Sequence, residues 1–152
     1  MVRLGFCKPV PKFFANYSIV PVQPSDAFPN RTSTNRPYLR VTLAHGGRDF
    51  SCYAIVDSGA DDCMFPSAFA AQIGLEFTTG RPYLFSGAGS RGQLAYFFDI
   101  ELEIAGVQKY WLPVGFTQAM DASRVGLLGQ NGFFDRFDVP FLLRERKFIL
   151  ET

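Results

Sequence analysis

The chain has 152 residues, 47% of them hydrophobic and 19% charged, with a formal net charge of +1. That size and composition suit a single globular domain with one core and exclude a disordered polymer. Near-neutral charge with mixed signs leaves no electrostatic footprint for nucleic acid or an anionic membrane, and no apolar run is long enough to cross a bilayer.

Aromatic residues reach 16%, with 17 Phe, while 10 Pro and 14 Gly break up helical patterns. This balance predicts mostly β-structure. Residues 1–37 carry Pro21, Pro24, Pro29 and Pro37 among Asn, Ser and Thr, and read as an irregular Pro-rich N-terminal arm with one strand at Tyr17–Val22. Residues 38–152 form the domain proper. Tyr38–Leu43 and Phe50–Val56 read as strands around a turn at Gly46-Gly47. Pro66–Ile73 fits a short helix stopped by Gly74. From Leu94 to Ile104, apolar residues alternate with Gln93, Ala95, Phe97, Asp99, Glu101 and Glu103, a period-two pattern that predicts a strand with one buried face. Gly106 marks a turn before a strand at Tyr110–Phe116. A second short helix is expected within Leu127–Phe137, and Phe141–Leu143 with Lys147–Leu150 reads as a closing hairpin. The sum is a small, closed or strongly curved β-domain.

Three cysteines, Cys7, Cys52 and Cys63, are too widely spaced for a metal-ligand pattern, so they read as free thiols in a reducing compartment; no metal and no cofactor are expected. The single His45 sits beside a turn signal. The first twenty residues are interrupted by Lys8, Pro9, Pro11 and Lys12 and lack the apolar core of a secretory leader, so a cytoplasmic location is the expectation.

Chemistry concentrates in Ala54-Ile55-Val56-Asp57-Ser58-Gly59-Ala60-Asp61-Asp62. An apolar strand runs into a carboxylate, a hydroxyl and a glycine. Gly59 permits a tight turn whose amides can fix the carboxylate, and partial desolvation at a strand end favours a general base. An Asp at a strand-ending turn is also ordinary turn chemistry, so its company decides. Gly87 to Gly92 matches G-x-G-x-x-G, but the alternating strand that follows supplies no helix N-terminus for a pyrophosphate. Gly87-Ala88-Gly89 is better read as the tip of a hairpin lid. Leu127-Leu128-Gly129 suits a tight crossing behind another loop.

In that order (strand, Asp-Ser-Gly-Ala-Asp-Asp, glycine-rich hairpin, apolar-apolar-Gly) the chain from Tyr38 onward resembles the retropepsin-like aspartic proteases. The resemblance implies an all-β fold, a small closed acid-protease-type β-barrel with one or two short helices, active as a symmetric dimer. It implies that Asp57 is the catalytic carboxylate and that Ser58 and Gly59 support it, with Ser58 bonding across the dimer. Ala60, Asp61, Asp62, Gly87, Ala88 and Gly89 would contact substrate, and Leu127, Leu128 and Gly129 would pack the second motif. Gln130 departs from the family pattern, where Arg commonly supports the aspartate equivalent to Asp61. The implied partners are a peptide or protein substrate and a second copy of the chain. One Asp-Ser-Gly per chain requires that copy, since the reaction needs two carboxylates sharing a proton. Pairing through Phe141–Leu150 across the two-fold axis is the expected interface. The main rival is a silent peptide-binding or dimerisation module of the same fold. A phosphohydrolase is disfavoured because Gly59 stands where its second Asp would be.

Overall fold

The computed structural model describes residues 11–104 and 106–152, so Cys7 lies outside the described residues. Strands β1 (Lys12–Asn16), β2 (Ser18–Pro21) and β3 (Ser33–Arg36) precede β4 (Tyr38–His45) and β5 (Arg48–Val56). Then come β6 (Met64–Pro66), helix α1 (Ser67–Gln72), β7 (Arg81–Gly87), β8 (Ser90–Ile104) and β9 (Gln108–Thr117). The chain closes with β10 (Gly126–Leu128), β11 (Phe141–Leu142) and β12 (Lys147–Glu151).

Six strands hydrogen-bond in the order β4-β5-β10-β6-β9-β8, and β8 returns to β4 from Val41↔Ile104 to Ala44↔Glu101. The sheet is therefore a closed ring, as the strand-rich sequence predicts. Its inside is filled by alternate side chains: Leu39, Val41 and Leu43 from β4, Ile100, Leu102 and Ile104 from β8, and Leu112, Val114 and Phe116 from β9. Strand β7 hangs outside the ring, paired only with the first half of β8. The two halves of β8 therefore see different surroundings. Leu94, expected on the buried face, is 43% exposed while Ala95 is buried, because the core ends where β8 leaves the ring for the hairpin.

Helix α1 forms where expected. The Asp121 carboxylate accepts the Ser67 backbone N–H (2.7 Å) and hydroxyl, serving from a distant loop as the cap that Pro66 cannot supply. Gly74, with φ of +77°, ends it. The helix expected within Leu127–Phe137 does not form. Residues 126–128 are drawn into β10 between β5 and β6, and 132–136 make a compact turn in which the Phe133 carbonyl accepts the Arg136 and Phe137 N–H groups without a helix continuing. Tertiary pairing has overridden local propensity there.

The N-terminal segment is not irregular throughout: three strands form in it, while residues 22–32 carry only turns and isolated bridges. β2 and β3 form a hairpin (Ser18↔Arg36 to Pro21↔Ser33), and β1 runs antiparallel to β12 (Lys12↔Glu151 to Asn16↔Lys147). The closing hairpin is present, with Phe141↔Phe148 and Leu142↔Lys147 pairs. Because β1 takes its other side, β12 is the middle strand of a β1-β12-β11 sheet. Within the segment Phe141–Leu150, expected to pair across a two-fold axis, both edges of β12 are filled by its own chain, so β11 alone keeps an open edge there.

Candidate active site

Strand β5 delivers Asp57 to the rim of the ring. The Asp57 backbone N–H donates to the Leu128 carbonyl (3.0 Å), so the residue before the Gly of the second motif fixes the start of the loop. The chain then turns: the Ala60 N–H donates to the Asp57 carbonyl (3.2 Å), and the Gly59 N–H donates to Asp57 Oδ1 (2.9 Å). This is the fixed carboxylate rotamer expected of Asp-Ser-Gly. Asp57 is half-buried, whereas Ser58 and Gly59 are exposed. The Ser58 hydroxyl has no hydrogen-bond partner among the described residues, leaving it free to bond outside the chain.

The second motif passes behind this loop. β10 runs parallel to β5 (Leu128↔Val56) and antiparallel to β6 (Leu127↔Met64), so Leu127-Leu128-Gly129 threads between the strands that flank Asp57. A Cβ on Gly129 would collide with the Asp62 and Ala60 carbonyls, which is why the crossing admits only glycine. Beyond it, the Gln130 N–H donates to the Ala60 carbonyl and the Asn131 N–H to the Asp61 carbonyl, both at 2.8 Å. Two side chains add to the clamp. Gln130 Nε2 donates to the Ser58 carbonyl (2.9 Å) and Asn131 Nδ2 to Asp62 Oδ1 (3.0 Å). Gln130 thus supports the backbone of the Asp57 loop rather than the Asp61 carboxylate, which has no side-chain hydrogen bond among the described residues. Cys63 is buried beneath the crossing, where its sulfur accepts the Gly129 N–H at 3.4 Å. Burial pushes its thiol up to about 12, against a partial lowering by the Gly129 bond.

Gly87, Ala88 and Gly89 lie apart from this clamp, at the exposed tip of the β7–β8 hairpin. Gly89 has φ of +81°, which the tip turn requires. The Gly87 and Gly92 amides are held by the hydroxyls of Ser90 and Ser86 (3.3 and 3.4 Å). Between the hairpin base and the Asp61-Asp62 segment lies a cleft of 570 Å³, whose walls include Asp61, Asp62, Gln130, Tyr83 and Phe97. Asp57 is not part of its wall. Tyr83 packs edge-on against Phe97 (5.6 Å between centroids), and Arg81 pairs with Asp99 at 3.0 Å. The sequence reading did not single out Tyr83, Phe97 or Arg81. Phe97 alone carried a signal, as a large aromatic on the polar phase of the β8 alternation.

The sequence profile described as aspartyl protease matches residues 41–131, from β4 through the Asp57 loop and the hairpin to Asn131. Among solved structures, the fold is similar to a retropepsin-like aspartic protease from Rickettsia conorii, with 12% identity and a TM-score of 0.57. That match covers 94% of this chain and 92% of the Rickettsia chain. EIAV protease in complex with an inhibitor also matches, at 18% identity and a TM-score of 0.44, over 62% of this chain and 82% of that one. A search among curated proteins finds no significant match.

Proposed function

We propose that this chain, which belongs to the aspartyl protease family, is an endopeptidase that hydrolyses peptide bonds with a water activated between two Asp57 carboxylates, one from each subunit of a homodimer. The observation that carries the reading is the Asp57 carboxylate, half-buried at a strand end and fixed by the Gly59 amide, on a loop whose Ser58 and Gly59 lie open at the surface. The neighbouring acids do not share the surroundings of Asp57: Asp61 and Asp62 line the cleft, whose wall does not include Asp57, and Asp62 accepts from Asn131. The second carboxylate therefore comes from a second copy, a reading that the exposed Ser58 hydroxyl, without a partner among the described residues, supports.

Chemically, the pair must share one proton. The ionised Asp57 takes a proton from the water as its oxygen attacks the scissile carbonyl carbon. The protonated Asp57 of the other subunit donates its hydrogen bond to the carbonyl oxygen, and proton transfer to the amide nitrogen releases the amine. No covalent intermediate forms. The β7–β8 hairpin acts as a flap over a substrate lying in the cleft, with Tyr83 and Phe97 contacting apolar side chains.

Cleavage of a mixed peptide library from acidic to neutral pH, with Asp57→Asn in parallel, tests this. The expected result is cleavage that falls at least about 10³-fold in the variant, with unchanged melting temperature and dimerisation. Cleavage that survives Asp57→Asn would refute the assignment. A dimer that binds peptides without cutting them would point to the silent binding module instead.

A further inference from the structure

Resting on the homodimeric reading above, we infer that the second copy docks along the outer edge of β1, so that two β1-β12-β11 sheets join into one six-stranded sheet centred on Phe14. The strand that ends the chain is excluded from this role. β12 pairs with β1 on one side over Lys12↔Glu151 to Asn16↔Lys147 and with β11 on the other, so it has no backbone groups left to offer. Within this three-stranded sheet two edges remain open among the described residues, those of β1 and β11. The β11 edge is two residues long and runs into a 3-10 turn at Leu143–Glu145. The β1 edge offers five.

Its hydrogen-bonding parity can be read directly. The Tyr17 N–H donates to the Arg146 carbonyl (2.9 Å) and the Thr152 N–H to the Pro11 carbonyl (3.3 Å). In an antiparallel ladder, bonded pairs alternate. Pro11, Phe13, Ala15 and Tyr17 therefore point their backbone groups at β12, while Lys12, Phe14 and Asn16 point theirs outward. A two-fold axis at Phe14 would set Phe14 against the partner's Phe14, and Lys12 against the partner's Asn16, each pair exchanging two bonds. Identical strands related by a two-fold axis are antiparallel, as this pairing needs.

The edge also lacks the usual defences against such pairing. Its one charge, Lys12, is neutralised within the sheet by Glu151 at 2.7 Å. Phe14 is 63% exposed, on the face shared with its neighbour Ile149, and would meet its own copy as a cross-strand aromatic pair. Finally, β1 sits at the correct end of the molecule. It leads through Tyr17 to the base of the β2–β3 hairpin at Ser18↔Arg36, and the adjoining Pro37 carbonyl accepts the N–H of Val56 (2.9 Å), the residue before Asp57. One axis can thus bring together both the β1 edges and the Asp57 loops.

Sedimentation equilibrium with peptide cleavage, on the full chain, tests the edge with two variants. Phe14→Pro removes an outward N–H and leaves the β12 ladder donors at Phe13 and Ala15 in place. Phe14→Lys changes no backbone group but sets two like charges across the axis. Each is expected to raise the dimer dissociation constant at least about tenfold, with cleavage lost at low concentration and restored at high. Should Phe14→Pro unfold by circular dichroism, Phe14→Lys decides. Folded variants that dimerise like the parent would overturn the β1 edge and leave the two-carboxylate reading intact. A parent that is dimeric through β1 yet cleaves nothing would refute the peptidase reading alone, whereas a monomeric parent would overturn both.

Discussion

The Asp57 loop and the β7–β8 hairpin are both glycine-bearing turns that end in exposed residues, yet they are held in opposite ways. Residues 57–62 are clamped by main-chain bonds from Leu128, Gln130 and Asn131, some 70 positions later in the chain, with Gly129 pressed between the Ala60 and Asp62 carbonyls. At the hairpin tip, by contrast, the amides of Gly87 and Gly92 are satisfied by serines a few residues away, and Ser86 to Gly89 are all exposed. Long-range backbone bonds break only when the core opens; local side-chain bonds break with the turn alone. The proposed peptidase calls for that division, with a preorganised carboxylate and a movable cover.

The sharpest way to break the contrast is to put a methyl group at each turn. Gly129→Ala drives a Cβ into backbone carbonyls that cannot rotate away, and should cost about 3 kcal/mol of stability along with most of the proposed cleavage activity. Gly89→Ala has nothing within 4 Å of the added Cβ and meets only a φ of +81°. It should cost about 1 kcal/mol, confined to the hairpin. Chemical denaturation with amide hydrogen exchange separates the two outcomes. Equal losses at both positions would mean that the crossing is no more rigid than the hairpin. Gln130→Ala should cost a similar ~1 kcal/mol, by removing the Nε2 bond to the Ser58 carbonyl, and on the proposed mechanism should lower turnover more than peptide affinity. Unchanged turnover would show that the main-chain bonds alone position Asp57.

The same contrast explains what the sequence made legible. The Asp57 loop, the hairpin tip and the ring strands are written in local signals: Asp-Ser-Gly after an apolar strand, glycines between strands, and period-two alternation. Asp57, Gly59 and Gly89 could be placed from them. What failed was decided by distant partners. Leu127 and Leu128 look helical until β5 and β6 claim them, and residues 12–16 look irregular until β12 supplies a ladder. Likewise, nothing near Gln130 in the sequence says that its amide reaches Ser58. The cap on α1 comes from Asp121, 54 residues on, and no capping pattern at Pro66-Ser67 announces it.

The smallest effect lies under the crossing itself. Cys63 is fully buried, and burial pushes its thiol up to about 12 from 9.0, with Asp135 and Asp62 adding to the rise and the Gly129 amide opposing it. The folded chain therefore holds this proton more tightly than the unfolded chain does. Its contribution to stability is complete below pH 9 and declines as pH climbs from 9 toward 12, since the unfolded state releases the proton first. Cys52, also pushed up to about 12 by burial, declines in the same window, and the buried Tyr110, raised by burial too, adds to the trend. Melting temperature should accordingly fall between pH 9 and 11 more steeply in the parent than in Cys63→Ala, whose lower starting stability leaves the slope comparison unaffected. Identical slopes would mean that the thiol titrates normally and that the crossing admits solvent, in which case the clamp around Asp57 is looser than its bonds imply.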